Sequence, residues 1–311
     1  MLDLTTRFRY CVQQLRAFGL CGWGGTTLAA DWTIREILKW TRGYLEDAGI
    51  VQPRLEAEML LAYALKVDRL HLYVAPDKPL TLEERSRYRS VIQERKAGTP
   101  LQHLIGEVTV LGLRFRVNGS ALIPRPETEE LLDRILRLSP RDDRIECLDM
   151  GTGSGIIAVC LARYLPNATV TAVDISADAL GLARENAALN VVDDRITFIE
   201  SDWFEAVDER FDLIVANPPY IPKGEIAELP PGVRDHEPVV ALDGGFEGVQ
   251  QMARLLSGVP KHLNSGGRIF LEIGHDQGER VRALLEGAGM SEIAIDVDLA
   301  GKERFAVARC P

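Results

Sequence analysis

The sequence predicts an α/β protein in which a seven-stranded, doubly wound and largely parallel sheet follows a small N-terminal helical bundle. Three observations predict it. Seven short apolar runs fall near 145–150, 169–174, 196–200, 211–216, 267–272, 292–297 and 304–310, and helical patterns fill most of the gaps. Strands alternating with helices imply crossovers and a sheet covered by helices. A glycine run, Gly151-Thr152-Gly153-Ser154-Gly155, follows the first of these strands. Upstream, apolar residues between Thr33 and Lys96 recur at helical rather than strand spacing.

The totals bound the function. With 311 residues the chain has room for two domains. We divide it into an extension, 1–30, a helical domain, 31–98, a β-hairpin linker, 99–125, and the main α/β domain, 126–311. Apolar content of 46% and charged content of 26% describe an ordinary soluble protein. No apolar run approaches the ~20 residues of a membrane helix. Five cysteines without CxxC spacing read as reduced thiols in the cytoplasm, and five histidines form no metal-spaced pair. Residues 1–125 carry 18 Lys/Arg against 13 Asp/Glu, whereas residues 126–311 carry 18 against 33. So acidic a main domain argues against a nucleic-acid backbone as the chief partner. A monomer is expected.

Residues 1–30 hold Arg7, Arg9 and Arg16 against a single acid, Asp3, and then a Gly22-Trp23-Gly24-Gly25 stretch. An organelle transit peptide, a poorly ordered extension and an over-long start remain open there. Thr33-Ile34-Arg35-Glu36 and Thr81-Leu82-Glu83-Glu84 both fit a capping box, in which the hydroxyl and the acid satisfy each other's backbone N–H groups. Ile34, Ile37, Leu38 and Leu45, then Met59, Leu60, Leu61 and Leu65, mark two helices, and a third is expected at 82–96. A bundle placed ahead of a larger domain suits a substrate-docking module. Gly112 sits at the turn of the expected hairpin. Arg125 lies between Pro124 and Pro126, on a stiff segment that cannot join a regular helix. It either closes the domain junction by a salt bridge or shapes the pocket near Asn217.

The glycine run carries the first chemical signal. Glycines here permit tight turning and close approach of a ligand to backbone N–H groups. The spacing is GxGxG rather than the GxGxxG of dinucleotide sites, and Asp149 stands two residues before Gly151. This fits a cofactor without a pyrophosphate, whose amino-acid end needs hydrogen bonds and a nearby carboxylate. Asp174 closes the second strand 19 residues after Gly155, where an acid accepts from ribose hydroxyls in nucleotide folds. Asp202 and Trp203, past the third strand, are placed to bracket an adenine by hydrogen bond and stacking. With Asp174 at this offset and Asn217 at the end of the fourth strand, the glycine run predicts S-adenosylmethionine binding, and a hydride-transferring dehydrogenase is disfavoured by the spacing.

The second signal is the end of the fourth strand, Asn217-Pro218-Pro219-Tyr220. Two prolines remove two backbone donors, and Pro218 pushes Asn217 toward extended backbone. A planar NH2 group is a poor nucleophile because its lone pair is delocalised. The Asn217 side-chain oxygen and the Pro218 carbonyl are two acceptors, one for each N–H, and Tyr220 is expected to stack on the planar group. Acceptors aimed at developing positive charge are the mirror of an oxyanion hole.

On these residues the chain resembles the class I S-adenosylmethionine-dependent amino-methyltransferases. Longer stretches narrow the likeness: Pro100-Leu101-Gln102-His103-Leu104-Ile105-Gly106-Glu107, Leu122 to Glu129, Glu237-Pro238, Ala241 to Gly245 and Asp298-Leu299-Ala300-Gly301 are similar to the peptide chain release factor glutamine methyltransferase (HemK-type) family. The resemblance covers residues 31–310, with His103 where the family more often has tyrosine. It implies that Gly151 to Gly155, Asp174 and Trp203 hold the methyl donor and that Asn217 binds the donor-proximal amide. It implies too that Asn217, Pro218, Pro219 and Tyr220 line the pocket of a substrate glutamine. That glutamine would be the one in the Gly-Gly-Gln loop of class-1 release factors, gripped elsewhere by the helical domain. The rivals are amino-methyltransferases acting on a ribosomal-protein glutamine or a nucleic-acid base, and a non-catalytic module of the same fold.

Overall fold

The computed structural model describes residues 32–139 and 143–311, so the reading of residues 1–30 lies outside the described residues. The chain divides between Ala97 and Gly98 into two compact units.

In the first unit, helices Ile34–Asp47, Pro53–Leu65 and Leu82–Lys96 pack around Ile34, Ile37, Leu45, Leu60, Leu61 and Tyr88, all buried. Both expected capping boxes form: Thr33 and Thr81 each accept from the backbone three residues on, and Glu36 and Glu84 reach back. The buried Tyr88 hydroxyl donates to the Ala57 carbonyl at 2.9 Å, joining the last helix to the second. A one-turn helix, His71–Val74, sits in the connection and was not anticipated. Four residues are too few for a periodic signal.

The second unit opens with a short helix, Leu101–Ile105, and the antiparallel hairpin β1 (Glu107–Val110) and β2 (Leu113–Arg116). Its two-residue turn puts Leu111 and Gly112 at φ +47° and +79°, the pair of positive values that suits the right-handed twist of a hairpin. Helix Pro126–Leu138 then leads into the large sheet. Its strands are β3 (Ile145–Met150), β4 (Ala168–Asp174), β5 (Ile196–Glu200), β6 (Phe211–Ala216), β7 (Leu263–Glu272), β8 (Ser291–Val297) and β9 (Glu303–Arg309). Their order is β5-β4-β3-β6-β7-β9-β8.

The first five strands are parallel, and β9 runs antiparallel to both β7 and β8. The antiparallel end follows from the connection: the turn 298–302 joins β8 to β9, too short for the helical crossover a parallel pair requires. Alternate residues face opposite layers. Cys147, Val170, Leu213, Val215 and Phe270 pack under helices Pro126–Leu138 and Ile156–Tyr164. Leu148, Val173, Ile214, Ile269 and Leu271 pack under helices Gln250–His262 and Gly278–Gly287.

Candidate active site

The chain runs β3, β4, β5 toward one edge and then returns to place β6 on the other side of β3. Ligands in open sheets of this kind bind outside the strand ends where the order reverses. A cavity of about 960 Å³ lies there, lined by residues that follow β3, β4, β5 and β6. The pairing of Met150 with Ala216 brings the residues after them, Gly151 and Asn217, to adjacent strand ends, and both line the cavity.

The glycine loop is built by backbone geometry. Gly151, Gly153 and Gly155 have φ of +76°, +54° and +81°, a region costly for side-chain-bearing residues. The N–H groups of Gly151 and Thr152 both donate to the Val173 carbonyl, at 2.8 and 2.9 Å. A Cβ at Gly151 would meet no protein atom within 4 Å, so its absence leaves that side open to a ligand. Gly155 answers a different need. A Cβ there would lie 2.8 Å from the Ala183 Cβ, so glycine lets the start of helix Ile156–Tyr164 approach helix Ala177–Leu189. Gly151, Thr152, Gly153 and Ser154 line the cavity, whereas Gly155 supports the loop from its packed side. The fully buried Asn186 carboxamide accepts from the Arg116 N–H at 2.7 Å and donates to the Ser154 carbonyl at 2.8 Å, tying the loop to the hairpin.

Asp149 is fully buried and does not line the cavity, a different place from the one expected beside a ligand's amino-acid end. Its Oδ2 accepts from the Thr152 hydroxyl at 2.6 Å and the Ala158 N–H at 3.0 Å, which shapes the glycine loop from behind. Among the described residues Oδ1 is buried without a partner, and burial pushes the carboxyl up to about 7.

Asp174 does face the cavity. One oxygen accepts from the Gly153 N–H at 2.8 Å and the other from the Ser176 N–H at 2.9 Å. Each oxygen keeps a further lone pair, enough for the two hydroxyls of a ribose. Burial raises its pKa, opposed by these two N–H groups and that of Ile175. Donors from a bound diol would offset that burial in the same way. These free acceptor sites therefore suit a nucleoside-bearing ligand, with Trp203 lining the same cavity.

Trp203 holds φ +53°, and its indole N–H donates to the Gln251 side-chain oxygen at 3.3 Å. Asp202 also lines the cavity, but its carboxylate is paired with Arg254 at 2.8 Å. Gln250, Gln251 and Arg254, all on helix Gln250–His262, thus join the wall and escaped the sequence reading. The glycine cluster Gly244, Gly245 and Gly248 just before them was the available signal. Lys223 also lines the cavity.

Asn217 and Pro219 line the cavity, whereas Pro218, expected beside them in the pocket, is buried and is not among the lining residues. Among the described residues the Asn217 carboxamide makes no hydrogen bond to protein, so its oxygen is free for a ligand. Tyr220, expected to stack on the planar group, is not among the lining residues, and its hydroxyl approaches Glu272 at 3.5 Å. Glu272 is 1% exposed, accepts from the Thr128 hydroxyl at 3.0 Å and is pushed up to about 7 by burial.

Arg125 lies outside the cavity wall. Its Nη2 contacts both oxygens of the buried Glu237, at 2.7 and 2.8 Å. Both residues belong to the second unit, so the pair fastens the entry to helix Pro126–Leu138 onto the loop beyond β6 and closes no domain junction. No group of three or more His, Cys, Asp or Glu among the described residues is placed to hold a metal ion.

Comparison with known proteins gives two family matches, the PrmC N-terminal domain over residues 36–106 and the methyltransferase small domain over residues 129–228. The release factor glutamine methyltransferase of Geobacter sulfurreducens is 43% identical over 274 residues, 88% of this chain and 95% of that protein. Those of Rhodopirellula baltica and Chlorobaculum tepidum are 41% and 42% identical, over 90% and 86% of this chain and 97% and 94% of theirs. Among solved structures, the hMettl16 catalytic domain in complex with an RNA hairpin aligns with TM-score 0.51 at 15% identity, over 73% of this chain and 81% of that one, a likeness of fold alone.

Proposed function

The chain belongs to the release factor glutamine methyltransferases, and on that premise we propose how its own residues carry the reaction. The enzyme transfers a methyl group from S-adenosylmethionine to the side-chain nitrogen of a release-factor glutamine. The acceptor is the glutamine of the Gly-Gly-Gln loop of class-1 release factors, and the enzyme acts on it as a monomer in the cytoplasm. No helix among the described residues is long and apolar enough to cross a membrane.

The donor supplies an activated methyl carbon on a positively charged sulfur. Gly151 to Ser154 would leave room for its amino-acid end, Asp174 would accept from its ribose, and Trp203 would wall its adenine. Asn217 and Pro218 act on the other reactant. The Asn217 oxygen takes one amide N–H and the Pro218 carbonyl takes the other, which turns the nitrogen lone pair toward the methyl carbon. As the new N–C bond forms, the bond from the methyl carbon to the donor sulfur would break and leave neutral S-adenosylhomocysteine, so positive charge passes to that nitrogen, where two fixed carbonyl dipoles stabilise it. Orientation supplies much of the rate, since aligned reactants gain an effective molarity equivalent to ~7–11 kcal/mol. No strong base is required, because the methylated nitrogen becomes acidic enough to release its proton to water. The helical unit, residues 31–98, grips the release factor away from this loop, 99–125 links it, and 126–311 holds the chemistry.

The observation that supports this reading is the pairing of Met150 with Ala216, which makes the glycine loop and the Asn217 corner neighbours on one cavity. The test is to incubate the protein with labelled methyl donor and, separately, purified release factor, ribosomal protein and RNA. Label on the release factor's glutamine is expected. Label on the ribosomal protein or the RNA in its place would overturn the choice of acceptor.

A further inference from the structure

Gln277 precedes helix Gly278–Gly287, is 3% exposed, and touches no part of the cavity. Its carboxamide nevertheless joins three separate segments. The oxygen accepts from the Gly274 N–H at 2.9 Å, just beyond β7. The nitrogen donates to the Tyr220 carbonyl at 2.9 Å and to the Gly248 carbonyl at 3.2 Å. The amide has a single workable orientation, because turning it over would set its oxygen against two carbonyls and its NH2 against an N–H.

The surrounding backbone is drawn in tightly. A Cβ at Gly248, which holds φ +75°, would lie 2.4 Å from the Tyr220 carbonyl oxygen and 2.8 Å from the Gln277 nitrogen. A Cβ at Gly274 would lie 2.8 Å from the Gln277 Cδ. Two glycines therefore make room for this one amide. By contrast, among the described residues the Tyr220 hydroxyl has only the loose 3.5 Å approach to Glu272. The main polar hold on this residue is through its carbonyl.

We propose that Gln277 is a positioning residue for the methyl transfer: it anchors the Tyr220 carbonyl, and through it the Asn217–Tyr220 corner, at the height where the amide acceptors meet the substrate nitrogen. The proposal rests on the reading of that corner given above. Tyr220 is three residues from Asn217 across two rigid prolines, so displacement at one end is passed to the other. A shift of about 1 Å in an aligned pair of reactants costs about 10²-fold in rate.

The test compares Gln277→Met, which keeps length and loses every hydrogen bond, with Gln277→Glu, which keeps the acceptor for Gly274 and loses both donors. Turnover of release factor and calorimetric affinity for the donor are measured from pH 5.5 to 8.5. Both variants should lose ~10–100-fold in kcat at neutral pH with donor Kd changed less than about threefold. Relative to wild type, Gln277→Glu should recover as pH falls, because a buried carboxyl protonates readily and regains one donor, while Gln277→Met should not. If Gln277→Met loses donor binding outright, Gly248→Ala, whose methyl presses on the Tyr220 carbonyl, takes its place, and a fall in kcat with donor Kd held supports the proposal. Normal kcat in these variants, or donor affinity lost in step with kcat in all of them, overturns it. If Asn217→Ala also turns over normally, the corner reading itself has failed; if only the Gln277 variants do, the positioning role alone has.

Discussion

Replacing Asn217 by alanine removes one of two acceptors from the substrate nitrogen and very little else. The side chain makes no hydrogen bond to protein among the described residues and lines the cavity rather than the core. Folding stability should therefore change by less than about 0.5 kcal/mol, as for substitutions that break no packing or polar network. Donor affinity should also hold, since Gly151 to Ser154, Asp174 and Trp203 are untouched. The loss falls on the transition state. One pre-placed group lost from such a site costs ~2.7–4 kcal/mol, so kcat should drop ~10²–10³-fold. The assay is methyl transfer to purified release factor at saturating donor, with donor Kd by calorimetry and melting temperature by scanning fluorimetry on the same preparations. Near-normal kcat would refute the two-acceptor argument. A fall in donor affinity as large as the fall in kcat would assign Asn217 to donor binding instead.

Asp174→Ala removes a cavity carboxylate that also holds the Gly153 and Ser176 N–H groups, so donor Kd should rise ~10–10²-fold, from charged hydrogen bonds contributing ~1.5–3 kcal/mol; calorimetry reads it directly, and unchanged affinity counts against the ribose contact. Gly155→Ala sets a methyl 2.8 Å from the Ala183 Cβ at a residue with φ +81°, and overpacking of this kind costs ~1–3 kcal/mol, visible as a lower urea midpoint. Glu272 is raised from 4.5 to about 7 by burial, so the fold favours its protonated form. Its stabilising contribution is then complete below pH 4.5 and lost as pH rises through about 7. Asp149 titrates in the same window, so Glu272→Gln should flatten only part of the decline in stability between pH 5 and 8. An unchanged slope in urea titrations would mean that Glu272 is ionised throughout.

Much of this fold is visible in the sequence because its signals are local. The run Leu213 to Ala216, stopped by Pro218 and Pro219, is a strand end whatever surrounds it, and β6 ends at Ala216. GxGxG requires positive φ, and all three glycines have it. β7, expected from about 267, begins at Leu263, because Leu263 pairs with Phe211 ahead of a break in register, and the polar Asn264-Ser265-Gly266-Gly267 stretch between that pair and Leu213–Arg268 resembles a turn in the sequence. The less legible parts are contacts between distant residues. Asp202 is spoken for by Arg254 across 52 positions, Tyr220 is turned toward Glu272 across the same distance, and Arg125 is held by Glu237 across 112. Such partners are chosen by topology, and no spacing rule announces them. Asp149 shows the same limit in a different way: the acid before the glycines is correctly placed in the chain, but the strand's alternation turns it into the protein and away from the cavity.

The most direct measurement is a crystal structure of the enzyme with S-adenosylhomocysteine and a release factor whose target glutamine is intact. The glutamine nitrogen is expected within about 2.6–3.2 Å of both the Asn217 side-chain oxygen and the Pro218 carbonyl, with its lone pair aimed at the donor sulfur. A target nitrogen bound by other groups, with Asn217 turned away from it, would contradict the account at its centre.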